Sequence, residues 1–298
     1  MANSVRELSE SEQQARRETE QRLQARMKEI RHKILVLSGK GGVGKSTVAA
    51  NLAVALADEG HIVGLLDVDV HGPSIPTLMA LEGATIKPGG EYLLPIRARD
   101  RLWVMSMGFL LKSRRDAVIW RGPLKYRLIQ QFLSDVAWGA LDYLIIDSPP
   151  GTGDEPLSVV QLVGHSAAAV IVTTPQELAI SDVRRCVTFC SECKLPVAGI
   201  LENMSGYACP QCGTVVNVFG SGGGQKLAQE MNVPFLGQIP LDPRIVSLGD
   251  CGKAFVSEDA ATQSTKAFRE IVANIKRQVV EQQGPEIAVS NDHEALVS

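Results

Sequence analysis

The sequence predicts a doubly wound, mostly parallel sheet in a three-layer α/β/α arrangement. Short apolar runs recur along residues 33–280, and segments with helical spacing separate most of them. That alternation makes βαβ units, whose crossovers cover both faces of a parallel sheet. The first run, Lys33–Ser38 (KILVLS), is continuously apolar in its middle, as a strand buried on both faces must be.

The remaining elements follow in order. A glycine-rich loop leads to helical spacing over Ser46–Asp58, with Gly60 as the stop. His61–Asp67 (HIVGLLD), Leu102–Ser106 and Leu141–Asp147 (LDYLIID) read as strands. Ala167–Thr173 (AAAVIVT), Val197–Glu202 and Phe235–Ile239 complete the set, and Ser181–Lys194 reads as a helix. No repeat and no internal linker interrupts the pattern. One domain over 33–280 is expected, with a charged leader at 1–32 and a polar tail at 281–298. Residues 1–33 hold eight basic and six acidic residues without Gly, Pro or aromatics. This suits an exposed helix or a partly helical arm, solvated rather than packed.

Composition excludes several classes. The net charge is -3, from 30 Lys+Arg against 33 Asp+Glu, which argues against a broad nucleic-acid surface. Aromatics at 5% argue against base-stacking platforms. Residues 1–33 contain no apolar run of the signal-peptide kind, and no apolar stretch approaches the ~20 residues of a membrane helix. A cytoplasmic protein without nucleic-acid or membrane partners is expected. Six cysteines are too few for a disulfide scaffold of this size. They are available for metal, redox chemistry or packing.

Gly39-Lys40-Gly41-Gly42-Val43-Gly44-Lys45-Ser46-Thr47 fits the phosphate-loop pattern between a strand and a helix. Its backbone N–H groups and the helix N-terminus suit phosphate oxygens. Lys45 is placed for the β- and γ-phosphates, Ser46 for Mg²⁺ and Thr47 for the α-phosphate. A second lysine, Lys40, resembles the deviant Walker A loop of the MinD/ParA and nitrogenase iron-protein class. In that class it contacts nucleotide across a dimer interface, adding positive charge where the transferring phosphoryl group develops charge.

Two further carboxylate groups end predicted strands, at the ligand edge of such a sheet. In Leu65-Leu66-Asp67-Val68-Asp69, Asp69 matches the position that holds the attacking water. Asp67 supports Mg²⁺ from behind, or caps the following segment. Asp147 ends an apolar strand in the Walker B manner and is expected to bind Mg²⁺ through water. The following SPPGTGD turn places the Gly151 N–H to sense a γ-phosphate.

Cys209-Pro210-Gln211-Cys212 supplies two ligands of a four-ligand soft metal site. A two-fold dimer completes the four, and Lys40 independently implies a dimer. A dithiol redox motif and half a zinc knuckle are the rivals. Cys186, Cys190 and Cys193 share one face of a predicted helix and read as core, with a second metal site as the alternative. Cys251 reads as structural.

Together these residues resemble the Mrp/ApbC family of iron–sulfur cluster carrier ATPases. The matching segments are GKGGVGKST (39–47), LLDVDVHGPS (65–74), WRGPL (120–124), LDYLIIDSPPGTGDE (141–155), TTPQELAISDVRR (173–185), ENMSGYACPQC (202–212) and GQIPLDPRI (237–245). The resemblance implies ATP and Mg²⁺ binding, slow hydrolysis, and a homodimer or a dimer with a paralogue. It also implies a 4Fe–4S cluster bridged by Cys209 and Cys212 of two chains and passed to apoproteins. Asn203 matches the family's adenine-contacting asparagine, and Pro240–Asp242 is expected to line the adenine pocket. The family pattern gives Cys186–Cys193 no role. Two other readings compete: a MinD/ParA-like positioning ATPase and a zinc-stapled dimeric ATPase. The first needs a basic membrane- or DNA-binding end, whereas residues 284–298 contain no Lys or Arg.

Overall fold

In the computed structural model, which describes residues 9–69, 72–90, 92–110, 122–208, 214–258 and 262–283, helix α1 (Glu10–Glu29) runs straight into strand β1 (Ile30–Ser38). Helix α2 (Lys45–Asp58), β2 (Val63–Asp67) and the short α3 (Ile75–Leu78) follow. Then come β3 (Lys87–Gly89), β4 (Tyr92–Leu94), β5 (Ile96–Arg99) and β6 (Leu102–Ser106). The middle of the chain holds α4 (Gly122–Ser134), β7 (Leu141–Asp147), α5 (Asp154–Val163), β8 (Ala167–Thr173), α6 (Glu177–Glu192) and β9 (Val197–Glu202). Last are the paired β10 (Tyr207–Ala208) and β11 (Val215–Val216), α7 (Gly223–Glu230), β12 (Phe235–Gln238), α8 (Pro243–Asp250), α9 (Phe255–Glu258) and α10 (Gln263–Gln283).

Eight strands form one sheet in the order β12-β9-β8-β1-β7-β2-β6-β5. All neighbours are parallel except β5, which runs antiparallel to β6. Strand β1 sits between β7 and β8: the chain lays β2, β6 and β5 on one side, returns to insert β7 beside β1, and then crosses to β8, β9 and β12 on the other side. The carboxyl end of β1 is therefore the switch point, where doubly wound sheets open a crevice for ligands. The apolar runs LDYLIID and AAAVIVT form β7 and β8 over the expected residues because both faces of these central strands are covered. In α2, Ala49, Ala50 and Ala53 are buried, and their small side chains let the helix lie close to the sheet.

Several sequence expectations shift. Strand β1 begins at Ile30 rather than 33, and β2 at Val63 rather than 61. Helix α6 spans Glu177–Glu192 instead of 181–194. The short antiparallel strands β3, β4, β5, β10 and β11 were not anticipated, since runs of two to four residues carry no readable period. Within the leader, Glu10–Glu29 forms a helix that is not wholly solvated. Leu23 and Met27, one turn apart, are 3% and 8% exposed and pack with the domain core. Arg22 pairs with Asp135 just beyond α4, and the Arg26 guanidinium lies 4.9 Å from the Tyr92 ring centroid. Residues 284–298, most of the expected tail, lie outside the described residues. Among the described residues, no helix is long and apolar enough to cross a membrane.

Candidate active site

The loop at 39–44 joins β1 to α2 at the switch point. Two of its glycines are required by close approach. A Cβ on Gly39 would come within 2.5 Å of the Asp182 carbonyl carbon in α6. Gly44, at φ 85°, would press a Cβ within 2.2 Å of the Asn203 amide nitrogen. The loop is thus clamped between α6 and residue 203. Lys40 is half-buried, and its carbonyl accepts a hydrogen bond from Ser38 Oγ at 2.9 Å.

Lys45 starts α2 and turns its ammonium inward. Its Nζ lies 2.5 Å from Asp147 Oδ1 and 3.4 Å from Ser46 Oγ. Both Lys45 and Asp147 are buried. The parallel register places Asp67 directly beside Asp147, and Ser106 beside Asp67. Two carboxylates from β2 and β7 are therefore held at one level of the sheet edge. Asp67 accepts hydrogen bonds from Ser106 Oγ (2.8 Å) and the Asp69 N–H (3.0 Å). Burial first, and the neighbouring Asp147 second, push the Asp67 carboxyl up to about 8. Burial also raises Asp147, against the opposing pull of Lys45. Asp69 is half-buried, and its Oδ1 accepts from the Gly72 N–H at 3.2 Å.

These residues fit a hard divalent ion. Among the described residues, Asp147 Oδ2 is buried without a hydrogen-bond partner. Around it stand the Ser46 hydroxyl and a second buried carboxylate, an oxygen donor set of the kind Mg²⁺ takes directly or through water. The SPPGTGD turn differs from expectation. The Gly151 N–H donates to the Ser38 carbonyl at 2.8 Å, so it is engaged with β1 rather than open to a ligand.

The Asn203 amide is likewise held by the protein. Its Nδ2 donates to the Val43 carbonyl (2.9 Å), and its Oδ1 accepts from the Met204 N–H (3.0 Å). The bond to Val43 uses one of the two amide hydrogens. Asp242 caps α8 by accepting from the Arg244 N–H (3.0 Å), pairs with the Arg244 side chain at 2.6 Å and accepts from Ser264 Oγ at 2.9 Å. The Arg244 guanidinium holds its carboxyl below the usual range. The Asp242 side chain, expected at the adenine pocket, also serves as the N-cap of α8. Pro240 is half-buried in the segment whose backbone pairs with 202–206, through Ile239 N–H to Glu202 O and Leu241 N–H to Gly206 O, each 2.8 Å.

Cys209 and Cys212 lie outside the described residues. Their segment connects β10 to β11, which pair antiparallel with Ala208 opposite Val215. Cys186 and Cys190 are buried, Cys193 is half-buried at the end of α6, and all three are free. A hydrogen bond with the Cys186 side chain first, and burial second, push the Cys190 thiol up, which suits packing rather than metal binding. Among the described residues, no three His, Cys, Asp or Glu side chains gather to hold a metal. Cys251 is exposed rather than structural.

Sequence reasoning missed Glu202. This fully buried carboxylate ends β9 and accepts hydrogen bonds from Ser205 Oγ (2.5 Å), the Gly222 N–H (2.9 Å), the Gly224 N–H (2.6 Å) and Gln238 Nε2 (3.0 Å). A charged residue closing an apolar strand was the available signal, as it is for Asp67 and Asp147.

A family model described as the NUBPL iron-transfer P-loop NTPase, of the ParA group, matches residues 29–276. The chain belongs to this family. Helix α1 lies almost entirely before the matched region. Among similar curated proteins, the cytosolic Fe-S cluster assembly factor Nubp2 homolog of Anopheles gambiae is 52% identical over 250 residues, covering 83% of this chain and 96% of that one. The NUBP2 homolog of Nematostella vectensis is 52% identical over 253 residues, covering 84% and 94%. Among solved structures, a nucleotide-binding protein from Archaeoglobus fulgidus in complex with ADP is 43% identical, with a TM-score of 0.70, covering 79% of this chain and 92% of that one. The Pyrococcus furiosus cell division ATPase MinD shares the fold, with a TM-score of 0.60 at 24% identity over 83% of this chain and 99% of that one. A mostly parallel sheet with flanking helices is thus common to this NTPase family and its MinD-like neighbours.

Proposed function

We propose that this NTPase binds and hydrolyses ATP and carries an iron–sulfur cluster for delivery to apoproteins in the cytosol. The observation that supports this most is the buried Lys45–Asp147 contact beneath the glycine loop, with Asp67 in register beside it. A lysine and two carboxylates out of water are costly unless they serve a charged ligand. The polyphosphate lies in the loop of Gly39, Lys40, Gly41, Gly42, Val43, Gly44, Lys45, Ser46 and Thr47, against inward N–H groups and the start of α2. Lys45 then leaves Asp147 for the β- and γ-phosphates. Ser46 and Asp147, with Asp67 behind them, would hold Mg²⁺, which when bound supplies positive charge to the phosphate oxygens. Asp69 accepts a hydrogen bond from water and holds it in line with the γ-phosphorus. Water adds there as the bond to the ADP oxygen breaks. The Gly151 N–H exchanges the Ser38 carbonyl for phosphate when the site fills. Asn203 offers its remaining amide hydrogen to the adenine, beside the backbone of 240–242.

The protein works as a homodimer or with a paralogue, in which Lys40 of each chain reaches the other's nucleotide. A 4Fe–4S cluster is cargo, held by Cys209 and Cys212 of both chains. The names of the Anopheles and Nematostella relatives, both Fe-S cluster assembly factors, favour this cargo over a membrane or DNA site. Anaerobic reconstitution with iron and sulfide tests the reading. Wild type should gain cluster absorption, and the Cys209→Ala/Cys212→Ala protein should not. Absorption retained by the double variant, or absent from wild type, refutes it.

A further inference from the structure

We infer that Glu202 is a positioning residue that ties the cysteine-bearing excursion to the nucleotide loop. The inference rests on the nucleotide part of the function proposed above. Its first support is the set of partners. Glu202 Oε1 accepts from Ser205, Gly222 and Gln238, and Oε2 accepts from Gly224. Ser205 lies at one root of an excursion of the chain and Gly222 at the other. Between them are the β10–β11 pair and, in its connection, Cys209 and Cys212. One buried carboxylate thus closes both ends of the segment, and Ser205 and Ser221 hydroxyls meet across it at 3.2 Å.

The second support is the neighbouring residue. Asn203 follows Glu202 directly and holds the Val43 carbonyl inside the glycine loop. Its amide nitrogen also stands where a Gly44 Cβ would be. The Asn203 backbone N–H donates to Thr173 at the end of β8 (2.8 Å), so the segment cannot slide freely. The glycine loop bears on Asn203 and the four donors bear on Glu202, so both sets of contacts meet on one short, anchored stretch of backbone. A carboxylate with four donors moves with those donors or breaks strong, charge-assisted bonds. Residues 202 and 203 consequently join two places that are far apart in sequence, the loop at 39–44 and the excursion at 205–222. Gly222 and Gly224 donate through backbone N–H groups, and Gly224 packs so closely that a Cβ would meet Glu202 Cβ at 3.2 Å. The geometry has little slack, as a positioning contact requires.

The test measures alkylation of Cys209 and Cys212 by iodoacetamide, resolved by peptide mass spectrometry. Full-length protein is used, without nucleotide and saturated with Mg²⁺-ADP or a non-hydrolysable ATP analogue. Exposed Cys251 is the internal reference. In wild type, nucleotide should change the labelling rate of the two thiols by about fivefold or more. Glu202→Gln replaces an acceptor oxygen with an N–H group facing a donor. It should reduce that response below about twofold, while nucleotide affinity stays within about threefold and Cys251 labels as before. Ser205→Ala removes one bond and keeps the charge. It should give an intermediate response, and it decides the matter if Glu202→Gln fails to fold. A wild-type response retained in either variant overturns the inference, as does a wild-type rate that ignores nucleotide. Cluster uptake is scored separately. Absence of uptake in wild type would refute the cargo reading and leave the thiol result standing.

Discussion

Asp67→Asn should remove a pH-dependent weakness from the ligand-free protein. Asp67 is fully buried, beside Asp147, and its carboxyl rises from 3.8 to about 8 on folding. Between those values the folded chain holds a proton that the unfolded chain has released. Stability is therefore greatest below the unfolded value and falls as pH rises, until it levels off above about 8. One pH unit corresponds to about 1.4 kcal/mol, so the loss between pH 4 and pH 8 is on the order of 5 kcal/mol. Asparagine has nearly the same shape. Its oxygen still accepts the Asp69 N–H, and its amide donates to Ser106, whose hydroxyl reorients. The assay is urea unfolding at steps from pH 5 to pH 8.5, in chelator without nucleotide. Wild type should weaken steadily with pH. Asp67→Asn should be nearly flat, with any residual slope due to Asp147, and should exceed wild type above pH 7. Mg²⁺ with nucleotide should stabilise wild type more at pH 8 than at pH 6, because it favours the ionised pair. A flat wild-type profile, or an Asp67→Asn slope equal to wild type, refutes the account of the carboxylate pair.

Two other perturbations test different parts of the molecule. Asp69→Asn keeps an oxygen for the Gly72 N–H, so ADP affinity should hold while ATP turnover falls by about 100-fold; turnover at the wild-type rate removes Asp69 from water positioning. Leu23→Ala empties part of the α1 contact at a cost of about 2 kcal/mol, so hydrogen exchange should accelerate in α1 and leave the sheet and ADP affinity unchanged; unchanged exchange would mean that α1 does not depend on this packing.

The candidate site was legible where chemistry is written in consecutive residues. The loop from Gly39 to Thr47 follows an apolar strand and opens a helix, and each requirement of phosphate binding is met by a neighbour in sequence. Asp67, Asp69 and Asp147 were legible as charges closing apolar runs. The roles of Asp242 and Glu202 were not. Asp242 has a proline after it and opens α8, a helix-start signal that went unread. Glu202 gathers donors from residues 205, 222, 224 and 238, and no local pattern announces such a set.

By itself, the sequence determined the mostly parallel sheet class, the alternation of its main strands with helices, and the glycine loop. Burial on both faces makes a strand continuously apolar, and a phosphate loop needs small residues at fixed spacing. Both constraints act along the chain and leave a one-dimensional trace. Only the tertiary structure decided which side chains meet. The register of β2 on β7 sets Asp67 beside Asp147, and the seat of α2 brings Lys45 to that pair. Packing of α1 hides Leu23 and Met27 in a segment whose charge reads as solvated. The ordering of partners around Glu202 arises the same way. Desolvation and hydrogen bonding depend on what surrounds an atom in space, and residues far apart in the chain supply those surroundings.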